Sequence, residues 1–173
     1  MKKYMGCIFL ILWSLHSVAA VPAKKKGQQP GRSQILAGQG AVVGGLSGSG
    51  FTMIDLRRTA NSKKKIERIV IDVGDLKGLP VKGWPGYYHA ELQKNPQRLV
   101  IDFSQMPSSK IDEKSIASRF KGSLAVKRSG MSLDPVDNTL NLTLDLKPKT
   151  RAKVYQVAGN KSTSKVVIDL YSE

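Results

Sequence analysis

The feature that most constrains the fold is one short strand motif that recurs along the chain. Its clearest form runs from Arg98 to Phe103 (RLVIDF), with alternating apolar residues and one aspartate near the end. Close copies begin at Arg68 (RIVIDV), Leu142 (LTLDL) and Lys165 (KVVIDL), and a shorter form begins at Met53 (MIDL). Repetition of one β-type segment is typical of an internally repeated β domain.

The alternation within each copy predicts which side chains face the core. From Thr139 to Leu146 every second residue is leucine, so the leucines share one face of a strand and the polar residues share the other. Four strand residues span about 13 Å, so Arg98 cannot reach Asp102 on its own strand. We therefore expect ion pairs between neighbouring strands, which would also fix the register.

Turn residues between the strands predict four hairpins and one crossover. The paired segments are 51–57 with 66–73, 86–92 with 98–103, 123–133 with 139–147, and 152–158 with 164–171. The crossover, residues 106–121, is expected to contain a helical turn with Ser108 or Ser109 as its N-cap. Ile111, Ile116 and Phe120 are expected to face the core.

The aspartates divide these strands into two similar halves. Asp72 and Asp145 are 73 residues apart, and Asp102 and Asp169 are 67 residues apart. The sequence therefore predicts an all-β fold: a β-sandwich of two similar four-stranded, mostly antiparallel sheets with a short helical crossover.

The first twenty residues have the pattern of a secretory signal peptide. Lys2 and Lys3 precede an apolar run, residues 5–15, that is short for a membrane span. Small residues predict cleavage after Ala20, with Ala23 as the second choice and an uncleaved anchor as the alternative. We therefore expect a periplasmic protein with no transmembrane span after cleavage. The one cysteine, Cys7, leaves with the signal, so we expect no disulfide and no cysteine-based metal site.

Residues 21–50 read as a Gly-rich basic linker, and residues 51–173 as the β domain. The net charge is +15, and residues 24–65 hold nine Lys or Arg against Asp55 alone. Ile35, Leu36 and the apolar stretch 41–43 leave open that part of the linker packs on the domain. Such basicity favours anionic polymers through a salt-screened attraction.

The paired Arg-apolar-Val-Ile-Asp strands, the turn 95–98 and the closing stretch 166–170 resemble the AMIN domain, the amidase N-terminal domain of bacterial envelope proteins. The resemblance covers roughly residues 51–171. It implies a periplasmic β-sandwich that binds peptidoglycan or another cell-wall polymer, as in cell-wall amidases, or that serves as an adaptor in an envelope assembly such as a pilus or secretion complex. Because Glu173 closely follows the last strand, we expect the domain to stand without a catalytic domain.

No residue set in the sequence predicts catalysis, and we expect no enzyme, cofactor or bound metal. His89 is the one histidine after the signal, and no motif that reads nucleic acid is present, so nucleic acid is not an expected partner. The candidate ligand-binding side chains are one aromatic cluster, which can stack on sugars or pack in the core, and several cations, which can meet carboxylates or pair across strands. They are Trp84, Tyr87, Tyr88, Arg68, Arg98, Lys127 and Arg128.

Overall fold

The computed structural model describes residues 33–48, 50–160 and 162–173. The predicted signal peptide and the first part of the predicted linker lie outside these residues. The described elements, in chain order, are β1 (Gln34–Leu36), β2 (Gly40–Gly44), β3 (Thr52–Asn61), β4 (Ile66–Gly74), β5 (Tyr88–Gln93), β6 (Arg98–Phe103), β7 (Ser108–Ser109), α1 (Glu113–Arg119), β8 (Val126–Asp134), β9 (Thr139–Leu146), β10 (Arg151–Val157) and β11 (Ser164–Tyr171).

The strands form two sheets. The six-stranded sheet has the order β1-β10-β11-β4-β3-β7, and the five-stranded sheet has the order β2-β5-β6-β9-β8. All named pairings are antiparallel except the short one between β3 and β7. The all-β prediction with one short helix is confirmed, but the expectation of four strands in each sheet is wrong. The extra strands β1, β2 and β7 have at most five residues each, too few for alternation to reveal them.

The eight longer strands show an internal two-fold repeat. Hairpins β3–β4 and β5–β6 form the first half, and hairpins β8–β9 and β10–β11 form the second. Each half gives one hairpin to each sheet, so the order β3-β4-β11-β10 in one sheet corresponds to β8-β9-β6-β5 in the other. Each half predicted from the aspartate spacing is thus divided between the two sheets, and neither half forms a sheet by itself.

The core lies between the two sheets and is built by the predicted alternation. On β9, the inward leucines 140, 142, 144 and 146 are at most 2% exposed. On β6, Leu99, Ile101 and Phe103 are fully buried, as their shared face predicts. Burying alternate residues of both sheets removes a large apolar area from water, which supplies most of the stabilisation of such a fold.

Each open side of the sandwich is covered by a different segment. One side is closed by residues 33–46, which we call the N-terminal strap: β1 pairs with β10 in one sheet, and β2 pairs with β5 in the other. Leu36 anchors the strap in the core, and Val42 packs against it. Part of the stretch 21–50, predicted as a linker, is therefore paired within the sandwich.

Helix α1 closes the other side, where it contacts β8 and β3. Its N-cap is Asp112, whose carboxylate accepts a hydrogen bond from the Ser115 amide at 2.8 Å. The predicted cap at Ser108 or Ser109 is wrong, because these residues instead extend the six-stranded sheet beside β3. Ile116 and Phe120 are buried and Ile111 packs on the core, as the sequence predicts.

Candidate ligand-binding surface

Asp145 organises a cluster of cations at one end of the five-stranded sheet. It lies on β9, and the register places it opposite Arg98 on β6 and Arg128 on β8. Arg98 Nε donates to one carboxylate oxygen at 2.6 Å, and Arg128 donates to the other from Nε at 2.9 Å. The expectation that Arg98 pairs with an aspartate on a neighbouring strand is confirmed.

The environment keeps this carboxylate charged. Burial alone would raise the pKa of Asp145, but the hydrogen bonds and positive charges of Arg98 and Arg128 outweigh it and hold the pKa below its ordinary value. The charge of Asp145 thereby fixes both guanidinium groups on the outer face of the sheet. Arg128 remains 77% exposed and keeps donors directed to solvent.

The same arrangement occurs in the six-stranded sheet at the repeat-related position. Asp72 on β4 binds Arg57 Nη2 on β3 at 2.7 Å and Lys165 Nζ on β11 at 3.4 Å. Under the two-fold repeat, β3, β4 and β11 correspond to β8, β9 and β6. The repeated aspartate therefore has a structural role in both sheets, joining three strands across their outer face.

Beside Asp145 lies an open depression of about 720 Å³. The turn 94–97 forms one wall, the start of β8 forms another, and Leu146 and Pro148 line its apolar part. Exposed Lys94 and Lys127 face it together with Arg98 and Arg128. Four cations against one carboxylate make this depression suited to an anionic ligand.

The depression is part of a larger basic end of the sandwich. Three chain reversals meet there: residues 62–65 between β3 and β4, 94–97 between β5 and β6, and 147–150 between β9 and β10. Gln97 joins two of them, because its side chain donates to the Thr150 carbonyl at 2.7 Å and accepts from the Lys149 amide at 2.9 Å. The third reversal, residues 62–65, is held to the end of β11 by the Ser172 amide, which donates to the Lys65 carbonyl at 3.0 Å.

Ten exposed cations lie on the basic end, and sequence reasoning had singled out only two of them. They are Lys63, Lys64, Lys65, Lys94, Lys121, Lys127, Arg128, Lys147, Lys149 and Arg151. The exposed or half-buried carboxylates described there are Asp145 and Glu173. A third, Glu67, is buried and bound to Arg58. These cations lie far apart in the chain, so only the strand order brings them together.

Of the seven predicted binding residues, the structure brings together Arg98, Lys127 and Arg128. Arg68 lies on the outer face of the other sheet, where it forms two hydrogen bonds with Asp169 at 2.6 and 2.9 Å. Its guanidinium is therefore used in a bidentate ion pair between β4 and β11.

The aromatic cluster lies at the opposite end of the sandwich, near the start of β5. Tyr88 is 1% exposed and packs near Phe103 in the core, so a surface ligand cannot reach it. Tyr87 is 39% exposed, and Trp84 is half-buried in the preceding loop. The three rings therefore do not form one stacking surface, because the Tyr88 ring lies inside the core.

Among the described residues, no group of three or more histidine, cysteine, aspartate or glutamate side chains could hold a metal ion. Within the same residues, no helix has the length and apolar character of a membrane span. Comparison of the whole chain with models of known protein families and with curated proteins found no match.

Proposed function

We propose that this chain is a non-catalytic, AMIN-like module of the bacterial periplasm that binds peptidoglycan or another anionic cell-wall polymer and positions itself on the wall. The observation that carries the proposal is the depression at the basic end, where Lys94, Arg98, Lys127 and Arg128 converge. Wall peptides bear carboxylates, and the free donors of Arg128 together with two lysines suit such groups.

The test is retention on purified sacculi, collected by centrifugation. The chain beginning at Val21, the expected product of export, should pellet with sacculi at low salt. The variant Lys94→Glu/Lys127→Glu should lose most of this retention because it reverses the two lysines of the depression. The matched control, Lys77→Glu/Lys82→Glu, changes the net charge equally on an exposed loop at the opposite end.

Two results would contradict wall binding through the depression. The wild-type chain could stay in the supernatant, or both double variants could lose retention equally, which would assign the effect to overall charge. If retention persists in a chain with residues 51–173 deleted, the basic segment 21–50 is responsible instead.

The second candidate is a protein-binding adaptor in an envelope assembly. The observation that favours it is the apolar character of the end opposite the basic one. Six large apolar side chains are exposed there: Leu76, Leu79, Tyr87, Leu133, Val136 and Val157. Cross-linking in cells followed by mass spectrometry tests it, and recovery of wall fragments without a protein partner would count against it.

A further inference from the structure

We propose that the basic end docks face-on to the headgroup surface of an anionic phospholipid bilayer. This inference goes beyond wall binding through the depression, because it involves both sheets. It rests on how the cations are spread, on the contrast between the two ends, and on the absence of exposed large apolar side chains from the basic end within the described residues.

The cations are spread across the whole end rather than along one groove. Lys63 and Lys64 lie on the turn of the six-stranded sheet, whereas Lys94 and Lys127 lie on the five-stranded sheet. Packed sheets are about 10 Å apart and neighbouring strands about 4.8 Å apart, so these tips cover an area of roughly 15 Å in each direction. A single polymer strand in the depression meets one part of this area, but a planar surface can meet all of it.

The most prominent of these cations are not held by carboxylates. Within the described part of the chain, no ion pair involves Lys63, Lys64, Lys94 or Lys127, and all four are exposed. Lysine ammonium groups act as point charges without bidentate geometry, and they suit an array of lipid phosphates.

The opposite end lacks this excess of positive charge, so the two ends of the sandwich differ in charge. Its described loops and strand ends carry Lys77, Lys82 and Lys110 against Asp75, Asp112, Asp134 and Asp137. Strand β3 alone, with ten residues, spans about 33 Å between the ends, well beyond the screening length of physiological salt. A negative surface therefore attracts one end and leaves the other facing away.

The distribution of apolar side chains predicts the kind of binding. Of the eight exposed large hydrophobic residues, six lie at the opposite end, and Ile35 and Val43 lie on the strap. Without apolar residues to insert, docking should be electrostatic, at the level of the headgroups, and reversible by salt.

The experiment is cosedimentation of the chain from Val21 with phosphatidylcholine vesicles that contain or lack phosphatidylglycerol. Binding should require phosphatidylglycerol and disappear at high salt. Lys63→Glu/Lys64→Glu should weaken it by about thirtyfold or more, since each surface lysine contributes substantially to such binding. The equally charged control Lys77→Glu/Lys82→Glu should stay within about threefold of wild type because its site is screened from the surface.

The run Lys24 to Lys26 is present in every variant, so the comparison isolates the folded basic end. Circular dichroism checks that the exposed substitutions leave the fold intact. Equal binding to both vesicle types, equal loss in both double variants, or no loss in either would overturn the inference. Competition by inorganic phosphate at the concentration of accessible lipid phosphate would also overturn it, because the site would then recognise phosphate without a surface.

The same variants separate this inference from the proposed wall binding. Lys63→Glu/Lys64→Glu leaves the depression intact and should keep its retention on sacculi while losing vesicle binding. A chain that binds vesicles but not sacculi would contradict wall binding alone, and the reverse result would contradict only membrane docking.

Discussion

Replacing the buried Glu67 should destabilise the fold more than any surface substitution near it. Glu67 is fully buried on β4, and its carboxylate joins the six-stranded sheet to residues 123–125, the segment that leads into β8 at the basic end. Ser123 Oγ donates to both of its oxygens, at 2.7 and 2.9 Å, and the amides of Leu124 and Ala125 donate at 2.7 and 3.2 Å. Arg58 Nη1 also donates to this carboxylate, at 3.2 Å.

The expected magnitude follows from these donors. Glu67→Ala removes the acceptor of the Leu124 amide and of Nη1 of the half-buried Arg58, whose other guanidinium nitrogens keep the carbonyls of Arg119 and Lys121. Breaking a buried ion pair of this kind lowers the free energy of unfolding by about 3–5 kcal/mol. Glu67→Gln keeps one carbonyl oxygen for the amides but loses the charge opposite Arg58, so we expect a loss of about 2 kcal/mol. The control Glu91→Ala, exposed on β5, should stay within about 0.5 kcal/mol of wild type.

Urea denaturation measures all three variants. With a slope of about 2 kcal/mol per molar, a loss of 4 kcal/mol lowers the unfolding midpoint by about 2 M. The slope itself should not change, because the surface exposed on unfolding is the same. A Glu67→Ala midpoint as close to wild type as that of Glu91→Ala would refute the view that this carboxylate holds residues 123–125 to β4.

Two further predictions concern the strap and the Asp145 cluster. In Gly45→Ala the new methyl group would overlap the Gly86 carbonyl oxygen, so β2 should detach and the strap should become sensitive to proteolysis. Gly38→Ala is the matched control: Gly38 also has a positive φ but open space around it, so only about 1–2 kcal/mol of backbone strain is expected, and equal protease resistance of both variants would contradict the prediction. The pKa of Asp145 is lower in the folded than in the unfolded chain. Its ion pairs therefore contribute about 1 kcal/mol to the free energy of unfolding above about pH 4, and this contribution is lost as the pH falls through the folded pKa. The stability difference between wild type and Asp145→Asn should therefore vanish in acid, and a difference that stays constant down to about pH 2 would show that Asp145 does not titrate in this way.

The sequence predicted the four long hairpins because each combines strong alternation with a polar turn. It also predicted that Arg98 must find its aspartate on another strand. It did not predict β1 and β2, because such short runs acquire their structure only by pairing with the edges of β10 and β5. Local pattern carries no information about those edges.

The basic end was hidden for a related reason. Lys64, Lys94 and Lys149 are separated by tens of residues, and each by itself is an ordinary turn lysine. The signal for Glu67 was present but weaker: it shares a strand face with Ile69, Ile71 and Val73, which places a carboxylate on a buried face. A charged residue in phase with core residues indicates a buried polar contact, although the sequence does not identify its partner.

The exchange of hairpins between the sheets also determines how the chain can fold. Each hairpin is local and can form early, but the pair β4–β11 at the centre of the six-stranded sheet joins Arg68 and Asp169, which are 101 positions apart. Closing so long a loop must precede the contacts that stabilise it, so folding should be slow for a domain of this size, on a scale of milliseconds to seconds. During that interval β4 and β6 have unpaired edges, because their partners β11 and β9 belong to the second half. The charged side chains of Arg68, Asp72 and Arg98 on these two strands disfavour pairing of the free edges with another chain.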